Sequence, residues 1–298
     1  MEKLVLFCKT FKNDLSRLVN LLESIKKHNC DNIPVCISVP ASDFDLFATT
    51  IDTSCVQLIT DESITDQLVS EKVSGISPGY INQEIVKLTF WKMNLCENYF
   101  CLDADCYFIR DFGYHDFMYD ENTPYSVLIE DKELCVDPDY RYHWDTRYEK
   151  LVAIKKAIGY QDDRLITCHG FTIFSCKVLR SFEEKFLIPN KYTISDILEI
   201  SPYEFSWYNF WLQKEKDIKI VPIEPLFKVF HYKKQYLESK EKGVTESDIS
   251  RAYLGIVLNS NWNDDSEIVK YTDPVVAYHE SFLKHYFRKL TYRIKKLL

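Results

Sequence analysis

The first hundred residues alternate two hydrophobic periods, and that alternation limits the chain to few folds. "KLVLFCKTF" is a compact apolar run of strand type. In the next segment, "NDLSRLVNLLESIKKHN", Leu15, Leu18, Val19, Leu22 and Ile25 recur at helical spacing, with Asn13 or Asp14 as N-cap and basic residues near the end. "IPVCISVP" is a second strand bounded by prolines, "ASDFDLFATTI" a short helix and "VQLIT" a third strand. Beyond the turn "SGISPG", the amphipathic helix "YINQEIVKLTFWKMNLCEN" feeds directly into "YFCLDADCYFI", a further strand. Strands separated by helices predict an α/β fold with a mostly parallel central sheet and helices on both faces. Ligands of such sheets sit beyond the carboxyl ends of the strands, where the strand order reverses. Thr10–Lys12 and Asp103–Asp105 are therefore expected on one rim.

The middle of the chain is less regular. "YSVLIED" and "HGFTIFSCKVL" read as strands, with "TRYEKLVAIKKAIGY" as a helix between them. "SPYEFSWYNFWLQ" is an aromatic helix or loop, and "IKIVPIEPLFKVFHY" a late strand pair. One domain is expected over residues 1–235, followed at 236–298 by a helical C-terminal extension that ends in a basic amphipathic helix.

Composition removes several classes of function. At 46% hydrophobic and 28% charged residues the chain is globular rather than disordered. Only 7 glycines leave little room for a glycine-rich phosphate loop. No segment reaches the roughly 18 apolar residues of a spanning helix, and "MEKLVLFCKTF" lacks the long apolar region of a signal peptide. The 10 cysteines include no C-x-x-C pair, and there is no N-x-[ST] sequon, so scattered thiols in a reducing, cytoplasmic setting are expected. The net charge of −8 conceals an asymmetry: Ser281–Leu298 carries +6 and no acid, leaving −14 on the rest. An acidic body excludes general nucleic-acid binding. The tail has the make-up of an interfacial helix, which predicts a peripheral position on the inner face of the cytoplasmic membrane or docking on the acidic body.

The stretch with the most chemistry is "YFCLDADCYFIRDF". Unpaired charge at the end of an apolar strand is costly, and carboxylates at i and i+2 of extended backbone point to one side. Asp103 and Asp105 thus suit Mn²⁺ or Mg²⁺, hard cations that take one or two carboxylates plus substrate phosphates. Two other Asp-x-Asp pairs, Asp43/Asp45 and Asp137/Asp139, lie in a helical first turn and a proline loop, where structural roles suffice.

"GYINQEIVKLTFW…ENYFCLDADCYFIRDF" resembles the glycosyltransferases of the GT-A fold, and more narrowly a little-characterised bacterial group of polysaccharide and lipopolysaccharide sugar transferases. The resemblance is close over Gly79–Phe112 and looser from Met1 to about Tyr232. It implies a GT-A-like, Rossmann-like sheet, a nucleotide-sugar donor such as a UDP-sugar, a cation held by Asp103 and Asp105, and a glycan or lipid-linked acceptor. It further implies His231, rather than His279, as a third metal ligand, and Thr10, Lys12, Lys87 and Ala104 as donor-binding residues. Tyr80, Gln83, His169, Gly170 and Trp207 are the expected substrate contacts, Trp207 by stacking on a sugar. Glu204 is the expected general base for an inverting transfer, with Asp145 and Asp131 as rivals. Two other functions compete: a non-catalytic carbohydrate-binding or assembly protein of the same fold, and an Asp-based phosphotransferase. The latter normally carries its carboxylates after the first strand.

Overall fold

A computed structural model describes residues 1–132, 134, 141–168 and 170–259. They gather into two compact units, each discontinuous in sequence. The first comprises Met1–Leu15, Cys30–Asp103 and Gly113–Pro225; the second comprises Ser16–Asn29, Ala104–Phe112 and the chain from Leu226. The sequence reading drew one boundary, at residue 235.

The first unit is built on β1 (Glu2–Lys9), β2 (Val35–Val39), β3 (Gln57–Thr60), β4 (Cys96–Leu102) and β7 (Ile173–Ser175), in the order β3-β2-β1-β4-β7. The first four are parallel, with Lys9 opposite Ser38 and Cys8 opposite Leu102. The edge strand β7 runs antiparallel to β4, Asn98 facing Ser175. The sheet is thus α/β in class and mixed, mostly parallel. β2 is buried throughout and β1 from Leu4 on, which explains their unbroken apolar runs. A small parallel pair, β6 (Ser126–Val127) with β8 (Pro222–Ile223), completes the unit's strands.

Helix Pro78–Thr89 starts with proline at its first turn and passes into a 3₁₀ turn, Phe90–Met93, which Asn94 ends in left-handed conformation (φ 52°). Its apolar stripe Ile81, Ile85 and Leu88 is buried as the periodicity predicts, yet Glu84 and Lys87 are buried too. The helix therefore has no wholly solvated face. Helix Glu204–Glu215 is buried almost all round through Trp207, Tyr208, Phe210, Trp211 and Leu212. Its rings join a continuous aromatic core: Phe7 stacks on Phe90 at 3.9 Å, and Tyr99, Phe174 and Tyr208 follow at 5.2 and 4.7 Å. These rings are core, and burying each contributes about 2–3 kcal/mol.

Two local expectations are corrected. "HGFTIFSCKVL" is a strand only over Ile173–Ser175; Cys176–Phe182 is helical. The continuous strand "YFCLDADCYFI" breaks after Leu102 into β4 and β5 (Cys106–Phe108), with a turn at Ala104–Asp105.

The second unit holds a three-stranded sheet in the order β5-β10-β9, with β9 at Phe227–Phe230 and β10 at Gly255–Leu258. Strand β10 corrects the expectation of an all-helical extension. It pairs parallel to β9 and antiparallel to β5, and a Cβ at Gly255 would lie 2.1 Å from the Phe227 ring. Helix Leu15–His28 belongs largely to this unit, and its Ser24 Oγ accepts the Phe108 N–H at 3.0 Å. No helix among the described residues is long and apolar enough to cross a membrane. The basic tail, His279 and His169 lie outside the described residues.

Candidate functional site at the carboxyl ends of β1 and β4

The chain leaves β1 toward β2 and β3 on one side and returns to place β4 on the other, so the strand order reverses between β1 and β4. Thr10 follows β1 and Asp103 follows β4, and the pairing of Cys8 with Leu102 puts both at that reversal. The rim expected from sequence is therefore formed by Thr10 and Asp103 within the first unit.

Lys87 organises the charges there. It is 1% exposed, and its ammonium lies 2.9 Å from Glu204 Oε1, 3.0 Å from Asp103 Oδ1 and 3.6 Å from Glu84 Oε2. Burial alone would lower its pKa, but Asp103, Glu204 and Glu84 outweigh that and hold it well above the ordinary lysine value. Glu84 moves the other way from a normal carboxylate: burial first, then the Glu204 charge, raises its pKa well above 4.5 against the pull of Lys87. The three carboxylates come from the middle of one helix, the end of β4 and the first residue of another helix.

Asp103 is the open member, its side chain 30% exposed. Gln83 Nε2 donates to Oδ1 at 2.9 Å, so Gln83 and Lys87 share that one oxygen. Oδ2 has no protein partner among the described residues. Such bracing is what second-shell groups do for metal-binding carboxylates.

The structure separates the remaining candidates. Thr10 is buried, its N–H bonded to Ser38 O at 2.9 Å, while its Oγ1 makes no hydrogen bond. The Lys12 side chain is exposed, and its N–H donates to Asp43 Oδ2 at 2.9 Å. Asp43 thereby ties the loop after β1 to the segment after β2, the structural role expected of that Asp-x-Asp pair. Tyr80 is exposed, its hydroxyl 3.4 Å from Pro202 O. Gly170 adopts φ 120°. Asp131 is buried at positive φ (51°) and paired with Arg147 at 3.2 Å, whereas Asp145 is exposed.

Trp207 is a correction. It is fully buried, its indole N–H bonded to Ser201 O at 2.8 Å and its ring beside Phe182 and Phe186, so no face is open to a sugar. A second correction concerns Asp103 and Asp105: with a turn between them, the extended-strand argument for a common side does not hold. Ala104, Asp105 and His231 belong to the second unit. There Asp105 O accepts Leu258 N–H at 2.9 Å, and His231 follows β9 with its N–H on Gln235 Oε1 at 2.9 Å. No group of three or more His, Cys, Asp or Glu side chains suited to a metal is assembled among the described residues.

Two features escaped sequence reasoning. Glu84 looks like an ordinary i, i+3 partner of Lys87, and its only signal is that Glu204 is acidic too. The other is Lys9, buried with Asp61 at 2.8 Å, where Ser38 also donates to Asp61. Burial raises the Asp61 pKa although Lys9 and Ser38 pull it down. This second buried pair closes the carboxyl ends of β1, β2 and β3.

No curated protein matches the chain. Residues 3–181, more than half of it, match a family profile that covers β1 to β7 with Lys9, Asp61, Glu84, Lys87 and Asp103, but not Glu204. The chain therefore belongs to that family, one of unknown function (DUF6492).

Proposed function

We propose that the protein is a glycosyltransferase of GT-A type that moves a sugar from a nucleotide-sugar donor, a UDP-sugar in the first instance, to a glycan or lipid-linked acceptor in surface polysaccharide assembly. The observation that carries this reading is Asp103: braced through one oxygen, open through the other, at the point where a mostly parallel sheet reverses its strand order. That is where α/β sheets bind nucleotides. Mn²⁺ and Mg²⁺ can take one carboxylate oxygen from a protein and complete their shell with water and substrate phosphate; Asp103 offers that one oxygen, and no further ligand is assembled beside it among the described residues. The assignment of Asp105 and His231 as further ligands rests on sequence alone.

A bound cation would stabilise the charge that develops on the diphosphate leaving group. The chain's own residues do the rest. Asp103 presents Oδ2, Thr10 carries a buried hydroxyl without a hydrogen bond at the end of β1, and exposed Tyr80 supplies a ring on the helix that carries Gln83. Glu204, buried and accepting from Lys87, serves in this reading as an anchor rather than as the base.

The test is hydrolysis of nucleotide sugars with and without Mn²⁺. Wild-type protein releases nucleotide in a Mn²⁺-dependent manner, and the double variant Asp103→Asn/Asp105→Asn loses at least about 100-fold, the scale of removing a charge-stabilising group. Undiminished Mn²⁺-dependent release by the double variant sinks the assignment.

A further inference from the structure

We infer that Tyr80 and Tyr203 form a seat for an uncharged sugar ring, on the far side of Asp103 from Thr10. That the ring belongs to the acceptor rests on the transfer proposed above; the seat itself does not. Thr10 follows β1 and Asp103 follows β4, whereas Tyr203 directly precedes helix Glu204–Glu215. The Tyr208 hydroxyl of that helix accepts the Ser175 N–H of β7 at 2.9 Å. In the order β1-β4-β7, Tyr203 therefore lies toward the edge strand. Tyr80 reaches the same place from helix Pro78–Thr89: its hydroxyl is 3.4 Å from Pro202 O, and Tyr203 is near enough to act on its ionisation.

Tyr203 is firmly held. The Arg147 guanidinium lies 4.8 Å from its ring centre, and Arg147 is itself buried and fixed by Asp131 Oδ2 at 3.2 Å and Cys168 O at 2.8 Å. Lys150 donates to Ile200 O at 3.1 Å, a second tie from helix Arg141–Ile158 to this turn. The Tyr203 carbonyl accepts the N–H groups of Ser206 and Trp207. Even so, Tyr203 is only half-buried and Tyr80 is 41% exposed. Tyrosines kept at a surface in this way present rigid, amphipathic area at low entropic cost. A pyranose matches them, with a C–H face for the rings and hydroxyls around its rim.

Charge narrows the choice to a neutral ring. Burial first, then the Glu84 and Glu204 charges, raises the Tyr80 pKa well above 10, so its hydroxyl stays a neutral donor. The buried cations Lys87 and Arg147 are already paired with carboxylates. A phosphate or carboxylate on the ligand would face acids whose cations are taken, and like charges repel at close range.

The experiment is saturation-transfer difference NMR on the full chain, with neither donor nor metal. Methyl α-glucoside, methyl β-galactoside and N-acetylglucosamine are the neutral probes, and glucuronic acid the charged one. At least one neutral probe is expected to bind wild type, with glucuronic acid about 5-fold weaker or more. Tyr80→Ser and Tyr203→Leu should each weaken the neutral probe by about 5-fold or more, the scale of one lost aromatic contact. Tyr80→Phe and Tyr203→Phe keep the rings and should stay within about 2-fold. Thermal unfolding checks that each variant is folded, and Tyr80→Ser, at an exposed position, decides the matter if Tyr203→Leu is not. No neutral probe on wild type, undiminished binding by Tyr80→Ser, or glucuronic acid bound as tightly as the neutral probes overturns the inference. Hydrolysis of nucleotide sugars by wild type is scored separately. Hydrolysis without sugar binding removes the seat and leaves the transferase reading; sugar binding through the tyrosines without hydrolysis does the reverse.

Discussion

Burying Lys87 beside three carboxylates creates an imbalance that one proton resolves. A lone buried ammonium would cost several kcal/mol. Two ionised carboxylates neutralise it and leave one excess charge at half-open Asp103; a third in the interior would not be stable. Glu84 is the most deeply buried of the three, and its burial and the Glu204 charge both favour the protonated form. Its folded pKa lies above the ordinary 4.5, so its contribution to stability is complete below pH 4.5 and declines as pH rises toward the folded value. Glu84→Gln keeps a neutral group there at every pH. Urea midpoints measured between about pH 5 and 8 should therefore show the variant gaining on wild type, by up to roughly 1 kcal/mol per pH unit. Asp61 titrates in the same direction in both proteins and cancels from the difference. A gap between the two proteins that does not change with pH would mean that Glu84 is not the protonated member.

Elements were legible where one periodic face decided them. Ile81, Ile85 and Leu88 predicted the buried side of helix Pro78–Thr89, but the same period could not show that Lys87, expected at the donor, is buried, because helical spacing carries no knowledge of what covers the other face. The Glu204 carboxylate covers it, from a helix more than 100 positions later in the chain. Strand β10 was unreadable for a related reason: "GIVL" is four residues long and is a strand through its pairing with β5 and β9. Local signals did mark helix ends. Thr193 accepts the Asp196 N–H while Asp196 caps Thr193 in return, a reciprocal box at the start of helix Ile194–Ile200. Thr193→Ala should lower stability by about 1 kcal/mol, read from the urea midpoint.

At the scale of the molecule, the nucleotide binding proposed for the β1–β4 reversal predicts a linkage between ligand and stability. A uridine diphosphate and Mn²⁺ mixture at about 100 times its dissociation constant should stabilise the fold by roughly 2.7 kcal/mol, visible as a rise in Tm. Asp103→Asn should lose the Mn²⁺-dependent part, and an equal rise in that variant would place the nucleotide elsewhere. By itself the sequence determined the α/β class, the mostly parallel strands and the carboxylate pair after an apolar strand, because each is written in a short period or a contiguous motif. Tertiary structure alone decided the antiparallel edge β7, the turn that splits Asp103 from Asp105, the burial of Trp207, and the Lys87 cluster that holds Asp103. Those depend on which distant segments meet, and the cost of unpaired charge or an unfilled hydrogen bond selects the meeting only once the chain has folded.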